Sequence, residues 1–328
     1  MPYSASPRGT FAAALLACLF APQLAMPRAA QAAPITRLVV AFPAGGPADS
    51  LARAISRQLE TELKQTVVID NRPGANGAIA AGFVAKAPTD GSVLFLTSAG
   101  AIVINPALYA NLPYNPQKDL APISMVVNTP EVLVVKPDAP AATAAAFVRQ
   151  AQQAGKPPSL ASTGVGSMPH MAIELFKAAT GVNILHVAYK GAAPAITDTL
   201  GGQVDAFFGD ASGLMPFITS KRLKPIGVAA PKRLAFLPGV PTLTELGIKN
   251  VEASNWYGMM APAGVPSAVV ERVNEALRRT LATPGVRKSL DQLGLVPAPG
   301  SAADFASIIR ADSAKWARVI KDQNIHGE

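Results

Sequence analysis

The sequence has few of the residues on which most protein chemistry depends. Its 328 residues include one cysteine and three histidines, and only 15% are charged. A single cysteine excludes a disulfide framework within the chain and any cysteine-rich zinc site. The histidines His170, His186 and His326 have neither the spacing of a helical metal site nor clustered carboxylates, so no metal is predicted. Neither the G-x-G-x-x-G nor the Walker A pattern occurs, so no cofactor is predicted either.

The charges and apolar residues exclude two further classes of protein. The net charge is +8, but no basic run is longer than a pair such as Arg278-Arg279. Nucleic-acid binding normally requires a continuous basic surface, and because the sequence shows no such cluster of basic residues, it is not predicted. No apolar run is long enough to span a bilayer as a stable helix. A hydrophobic share of 49% is typical of a folded protein, and the length favours two domains that each bury a core.

The first 32 residues have the pattern of a secretory signal peptide. Arg8 supplies the positive start, residues 11–24 are apolar, and Ala30-Gln31-Ala32 has the small-x-small pattern of a cleavage site. We therefore expect cleavage near Ala32 and a periplasmic location. Cleavage removes Cys18, so the exported chain would need no oxidative folding step. The alternatives are a retained membrane anchor and a lipidated Cys18.

Short apolar strands alternate with amphipathic helices along the rest of the chain. Residues 37–42, 66–69 and 93–96 are apolar runs typical of buried strands. Between them, Leu51, Ile55 and Leu59 recur at the spacing of one helix face. This alternation predicts an α/β fold with parallel strands and right-handed crossovers.

Two later apolar segments, residues 126–135 and 255–266, are predicted to cross between domains. With these crossings, residues 33–136 and 255–328 form one discontinuous domain, and residues 137–254 form the other. Two connecting strands permit hinge bending about a central cleft.

The first segment with binding chemistry joins a strand to a helix, and it reads Phe42-Pro43-Ala44-Gly45-Gly46-Pro47-Ala48-Asp49-Ser50. Amides at a helix N-terminus lack partners within the helix, and the helix dipole there favours an anion. Glycines let a ligand approach the backbone closely. The segment therefore predicts an anion site, with a plain strand–helix turn as the alternative. Asp49 could cap the helix or pair with Arg53 one turn later.

The second segment repeats the order of strand, Gly-rich turn and helix, and it reads Ala161-Ser162-Thr163-Gly164-Val165-Gly166-Ser167-Met168-Pro169-His170. Its hydroxyls and amides are predicted to face the first segment across the cleft. Ser167 and His170 are three residues apart, so a hydrolase with this nucleophile–base pair is the rival interpretation. It lacks an orienting acid and the G-x-S-x-G elbow. We favour Ser167 as a helix N-cap and His170 as a packed or hinge-lining residue.

Two further elements are predicted near the cleft. Lys190 and the amides after it would add positive potential, unless Lys190 is only a solvated turn residue. Asp205 and Asp210 flank a predicted strand at residues 204–208. These carboxylates could bind a ligand amine or cap the next helix, and capping is favoured.

The motifs taken together resemble the substrate-binding proteins of tripartite tricarboxylate transporters, also called Bug proteins. The resemblance covers almost the whole chain after the signal peptide. It is carried by Phe42-Pro43-x-Gly-Gly-x-x-Asp49-x-x-Ala52-Arg53, Asn71-Arg72-Pro73-Gly74-Ala75-x-Gly77, Gly164-x-Gly166-Ser167-x-x-His170, Tyr189-Lys190-Gly191-x-x-Pro194 and Trp256-Tyr257-Gly258.

The resemblance implies a type II periplasmic binding fold, in which two α/β domains close around a ligand in a central cleft. It implies a small organic carboxylate: a di- or tricarboxylate, an acidic amino acid or an aromatic acid. Backbone amides and bridging waters of two Gly-rich loops would hold it, without a salt-bridging arginine. By position, the predicted ligand-binding residues are Phe42, Ala44, Gly45, Gly46, Asp49, Thr97, Ser98, Ser162, Thr163, Gly164, Gly166, Ser167, His170, Tyr189, Lys190 and Asp210.

The resemblance also implies partners. We expect a monomeric binding protein rather than an enzyme, which delivers its ligand to the subunits of a membrane transporter. Signalling to a membrane sensor is the alternative to transport.

Overall fold

One mixed β-sheet organises residues 34–327, the part of the chain that the computed structural model describes. The predicted signal peptide, its cleavage site and Cys18 lie outside the described residues. The strands are β1 (Ile35–Val40), β2 (Thr66–Asn71), β3 (Val93–Ser98), β4 (Leu120–Val135), β5 (Ser159–Ser162), β6 (Leu185–Ala188), β7 (Ala206–Asp210), β8 (Lys224–Val228), β9 (Ser254–Pro262) and β10 (Val296–Pro297).

Helices cover both faces of this sheet. They are α1 (Pro47–Leu63), α2 (Ala78–Val84), α3 (Asn105–Leu108), α4 (Pro116–Asp119), α5 (Ala144–Gln153), α6 (Met168–Thr180), α7 (Ala192–Leu200), α8 (Ala211–Thr219), α9 (Ser267–Ala282), α10 (Pro284–Gln292) and α11 (Ala302–Asp322). A 3₁₀ turn (Ala75–Gly77) and a π-helical turn (Gly100–Ile104) complete the elements. Within residues 34–327, no helix has the length and apolar character needed to cross a membrane.

The first half of the sheet has the strand order β2-β1-β3-β9-β4. β1 runs parallel to β2 and β3, and Leu38 and Leu94 lie side by side in this pairing. Because successive strand residues point to opposite faces, Leu38 packs in the cluster that contains Leu51 of α1, whereas Val39 packs in a second cluster on the other face. The predicted α/β class is confirmed, and β1, β2 and β3 are parallel as predicted, but β9 runs antiparallel to β3 and β4, so the sheet is mixed.

Strand β4 passes through both halves of the sheet. Its first part pairs with β9, as far as Pro130 opposite Ser254. From Glu131 onward it pairs with β7, and from Val132 also with β8. β4 contains the first crossing segment that the sequence predicts and is one continuous strand of 16 residues. β9 contains most of the second segment and pairs with β3 and the first part of β4, so this crossing stays a prediction. The proposed boundaries between domains, at residues 136/137 and 254/255, stay predictions.

The second half of the sheet has the order β4-β7-β5-β6, with β5 parallel to both β6 and β7. β7 ends at Asp210, two residues later than the predicted strand end. The reason is that the ladder with β4 continues as far as the pair Glu131 and Asp210. Phe207 and Phe208 of β7 fill opposite faces of this half.

A close contact between β9 and α11 gives a test of this packing. A Cβ at Gly258 would overlap the ring of Phe305, which also packs edge-on against Trp256. Overpacking costs about 1–3 kcal/mol, so Gly258→Ala should lower the free energy of unfolding in urea by that amount. Gly285→Ala is the control, because a Cβ at this helix position meets no atom within 4 Å. Equal urea midpoints for the two variants would contradict this packing.

Candidate functional site

A cavity of about 160 Å³ lies where the two halves of the sheet meet. At about 10–15 Å³ for each enclosed water, it holds on the order of ten water molecules, which is the size of a small organic ligand. Strand ends from both halves line it: Phe42 follows β1, Ser98 ends β3, Thr163 follows β5, Lys190 follows β6 and Asp210 ends β7. The carboxyl ends of parallel strands are the usual place for a ligand in such sheets.

Four helices begin at the wall of this cavity. Their N-cap residues are Gly46 for α1, Ser167 for α6, Gly191 for α7 and Asp210 for α8, and all four line it. Each helix N-terminus contributes partial positive charge. Nearby loop amides are also free: those of Ala44, Thr163 and Gly191 donate to no acceptor among residues 34–327. The arrangement therefore offers hydrogen-bond donors and positive potential to an anion.

The first predicted segment is held in shape by Asp49. Its Oδ2 accepts hydrogen bonds from the Gly45 amide (2.9 Å) and from Nε of Arg53 (2.8 Å), so the predicted pairing with Arg53 is confirmed. Burial opposes ionisation of Asp49, but these two hydrogen bonds hold its pKa below the ordinary value. Gly45 has φ of 79°, which favours glycine. Gly45 and Asp49 thus shape the loop and do not line the cavity.

In the second segment, Ser167 is the N-cap of α6, as predicted. Its Oγ accepts from the His170 amide (3.3 Å) and donates to the Gly164 carbonyl (2.6 Å). The His170 ring has other neighbours: Nδ1 accepts from the Gly166 amide, and Nε2 lies 3.6 Å from Glu174 Oε1. The Ser167 hydroxyl and the His170 ring therefore form no nucleophile–base hydrogen bond.

A stacked pair of histidines supports this loop from behind. The rings of His170 and His186 are 4.0 Å apart and nearly parallel, and His186 Nε2 is 2.6 Å from Ser162 Oγ. Burial, and then the neighbouring His170 charge, lower the pKa of His186 to about 4. The sequence analysis missed this pair, although both residues lie in segments that it singled out.

Of the two predicted site residues after β6, Lys190 and Tyr189, only Lys190 lines the cavity. Lys190 is exposed and lines the cavity. The Tyr189 hydroxyl instead donates to Asp198 Oδ2 at 2.7 Å, so the side chain is bound to the last turn of α7. Burial and the nearby Asp198 raise the pKa of Tyr189 to about 12.

The floor of the cavity carries a polar cluster around Asp210. Asp210 occupies the N-cap position of α8, but its side chain makes no capping hydrogen bond, so the favoured capping interpretation is wrong. Instead it accepts from the Tyr257 hydroxyl and from Asn255 Nδ2 (3.1 Å). Glu131 lies opposite Asp210 on β4 and is fully buried. Burial and the Asp210 charge raise the pKa of both Glu131 and Tyr257 well above their ordinary values.

Half of the predicted site residues line the cavity, and half support it from outside. Those that line it are Phe42, Ala44, Gly46, Ser98, Thr163, Ser167, Lys190 and Asp210. The others are Gly45, Asp49, Thr97, Ser162, Gly164, Gly166, His170 and Tyr189. The lining residues that the sequence analysis missed include Asn76, Met168, Ile196, Phe207, Leu214, Asn255 and Tyr257. Of these, Met168 lay in the second segment and Tyr257 in a motif that carries the resemblance.

The fold and this cleft define the class of the protein: it has the architecture of the periplasmic solute-binding proteins. Residues 51–325 match the family model described as the tripartite tricarboxylate transporter family receptor. The chain belongs to this family, as the sequence resemblance implies, and the family is one of solute-binding receptors.

Relatives and solved structures agree with this assignment. The chain is 32% identical to protein BugT of Bordetella pertussis over 287 residues, which are 87% of this chain and 88% of BugT. MatC from Rhodopseudomonas palustris, solved with bound malate, is similar with a TM-score of 0.81 and 29% identity over 87% of this chain and 98% of MatC. An R. palustris protein solved with adipate has a TM-score of 0.86 and 32% identity, over 89% of this chain and 98% of that protein.

The histidine stack gives a pH prediction. The pKa of His186 lies at about 4 in the folded chain, below the ordinary 6.5. The stability that this group contributes is therefore present above pH 6.5 and is lost as the pH falls from 6.5 towards 4. From pH 7 to pH 5 the expected loss is about 1–2 kcal/mol, and His186→Gln should not show it.

The measurement is urea unfolding at several pH values, with the exposed His326→Gln as control. The control should follow the wild-type pH dependence. If His186→Gln also follows it, His186 does not titrate as described.

Proposed function

We propose that this chain is a periplasmic receptor that binds a small organic carboxylate in the cavity and delivers it to a membrane transporter. One observation carries the proposal: free amides and helix N-termini from both halves of the sheet converge on one ligand-sized cavity. The malate and adipate in two similar structures support the choice of a carboxylate. The signal-peptide pattern of the first 32 residues supports export to the periplasm.

The ligand carboxylate binds chiefly to the backbone. No arginine lines the cavity within residues 34–327, so the negative charge is met by the amides of Ala44, Thr163 and Gly191 and by the helix N-termini. Each charge-assisted hydrogen bond contributes about 1.5–3 kcal/mol. Several such bonds, less the cost of ordering, correspond to about micromolar affinity, or roughly −8 kcal/mol.

The rest of the cavity wall determines the size and shape of the ligand that fits. Apolar side chains form much of its wall, among them Phe42, Met168, Ile196, Phe207 and Leu214. They suit the carbon skeleton of a small acid. β4 and β9 join the two halves and allow a hinge motion that would enclose the ligand and exclude water.

Ligand binding should be visible as thermal stabilisation. A ligand that binds only the folded chain raises the melting temperature as its concentration exceeds its dissociation constant. We expect at least one small mono-, di- or tricarboxylate to do so at millimolar concentration, whereas the corresponding neutral amides should not. If no carboxylate changes the melting temperature, the proposal fails.

A charge placed in the cavity should abolish binding. Thr163→Asp puts a carboxylate beside the free loop amides, and repulsion should weaken carboxylate binding by at least about tenfold, or about 1.4 kcal/mol. Thr163→Asn has nearly the same size without the charge and should stay within a few-fold of wild type. Titration calorimetry measures both. Equal affinities of the two variants would place the ligand carboxylate elsewhere.

A further inference from the structure

Asp210 is a buried carboxylate with no cation beside it. Its exposed fraction is 9%, and it is in none of the ion pairs of residues 34–327. Carboxylates this deeply buried are normally paired with a cation or a metal. No group of metal-binding side chains occurs in the same part of the chain. A charge at Asp210 therefore lacks the partner that burial normally requires.

The hydrogen-bond donors near these two carboxyl groups contact Asp210 and not Glu131. Tyr257 and Asn255 donate hydrogen bonds to Asp210, and donors of this kind stabilise the ionised form. Glu131 is fully buried and its two carboxyl oxygens have no hydrogen-bond partner, and burial together with the Asp210 charge raises its pKa well above the ordinary value. The N-terminus of α8 adds partial positive charge beside Asp210. Asp210 thus has hydrogen-bond donors and a helix N-terminus beside it, but no cationic side chain of residues 34–327 forms an ion pair with it.

Two polar atoms of residues that line this cavity have no hydrogen-bond partner among residues 34–327: the Ser98 hydroxyl and Asn255 Oδ1. Ser98 is 3% exposed and lines the cavity, and its hydroxyl has no hydrogen bond to the described residues. It lies next to Tyr257 in the pairing of β3 with β9. Asn255 is 6% exposed and lines the same cavity, and its Oδ1 is an unpaired acceptor. Buried polar groups without partners point to a ligand that completes their hydrogen bonds.

Groups of both kinds, donors for an anion and an acceptor for a cation, therefore line the cavity. The loop amides, the helix N-termini and Lys190 suit a carboxylate, whereas the floor presents the Asp210 carboxylate as an acceptor. A second carboxylate on the ligand would be repelled at the floor, but a cationic donor would be attracted.

We propose that Asp210 is the counter-ion for an ammonium group of the ligand, so that the preferred ligand is an amino carboxylate rather than a simple dicarboxylate. This inference rests on the proposed function, and it assigns Asp210, Asn255 and Ser98 as the residues that bind the amine end.

Matched ligands test the inference on the wild-type protein. Titration calorimetry compares 6-aminohexanoate with adipate, and aspartate with succinate. The members of each pair have the same number of carbon atoms. An ammonium group replaces one carboxylate in the first pair and is added to the dicarboxylate in the second. In at least one pair, the amine-bearing ligand should bind at least tenfold more tightly. If the dicarboxylate binds as tightly or more tightly in both pairs, or if none of the four binds while another carboxylate does, the inference is wrong. If no carboxylate binds at all, the proposed function fails as well.

Variants then identify the residue that causes the preference for the amine-bearing ligand. Asp210→Asn should weaken the amine-bearing ligand at least tenfold and leave its dicarboxylate partner unchanged or tighter. Glu131→Gln should keep the wild-type preference, since Glu131 already carries a proton, and so should Asp138→Asn on the surface. The assignment of Asp210 is wrong if Asp210→Asn keeps the preference for the amine-bearing ligand. It is also wrong if Glu131→Gln loses this preference as much as Asp210→Asn does. If Asp210→Asn does not fold, the titrations of the wild-type protein with the matched ligands still test the inference.

Discussion

The exchange of partners along β4 is the constraint on which the rest of the structure depends. At Pro130 the strand still pairs with β9, and at Glu131 it already pairs with β7. This single step joins the two halves of the sheet and aligns their strand ends at one cleft. It also places Asp210 of β7 beside Asn255 and Tyr257 of β9. The architecture that permits hinge motion and the chemistry of the cavity floor thus have the same origin.

In the proposed function, backbone amides bind the ligand carboxylate, and side chains that do not line the cavity hold the loops that carry them. Asp49 fixes the first loop through the Gly45 amide, and the stacked His170 and His186 support the second. These contacts hold the amides of Thr163 and Gly191 in a fixed geometry without using their hydrogen bonds. The loops therefore lose little conformational entropy when a ligand binds. A chain with few charges can therefore bind an anion, provided that its glycine turns and helix starts are placed correctly.

Local patterns in the sequence predicted β1 to β3, α1 and the apolar segments that lie in β4 and β9, because apolar periodicity and Gly-Pro turns are local signals. They also indicated both loops. The floor of the cavity was not predictable in this way. Asn255 and Tyr257 lie about 45 residues from Asp210 and meet it only through the shared strand β4. Asp210 itself was expected to cap α8, since the residue before a helix commonly does, but the pairing of β7 with Glu131 extends the strand and turns that side chain to the cavity.

The central claim is that a carboxylate lies against the loop amides where the two halves of the sheet meet. The most direct measurement is a crystal structure of the complex with the tightest-binding carboxylate, compared with a ligand-free crystal. The account predicts carboxylate oxygens within about 3.2 Å of amide nitrogens from both halves, among them Ala44, Thr163 and Gly191. A ligand found outside this cavity, or one whose carboxylate is held by arginine or lysine side chains instead of these amides, would contradict it.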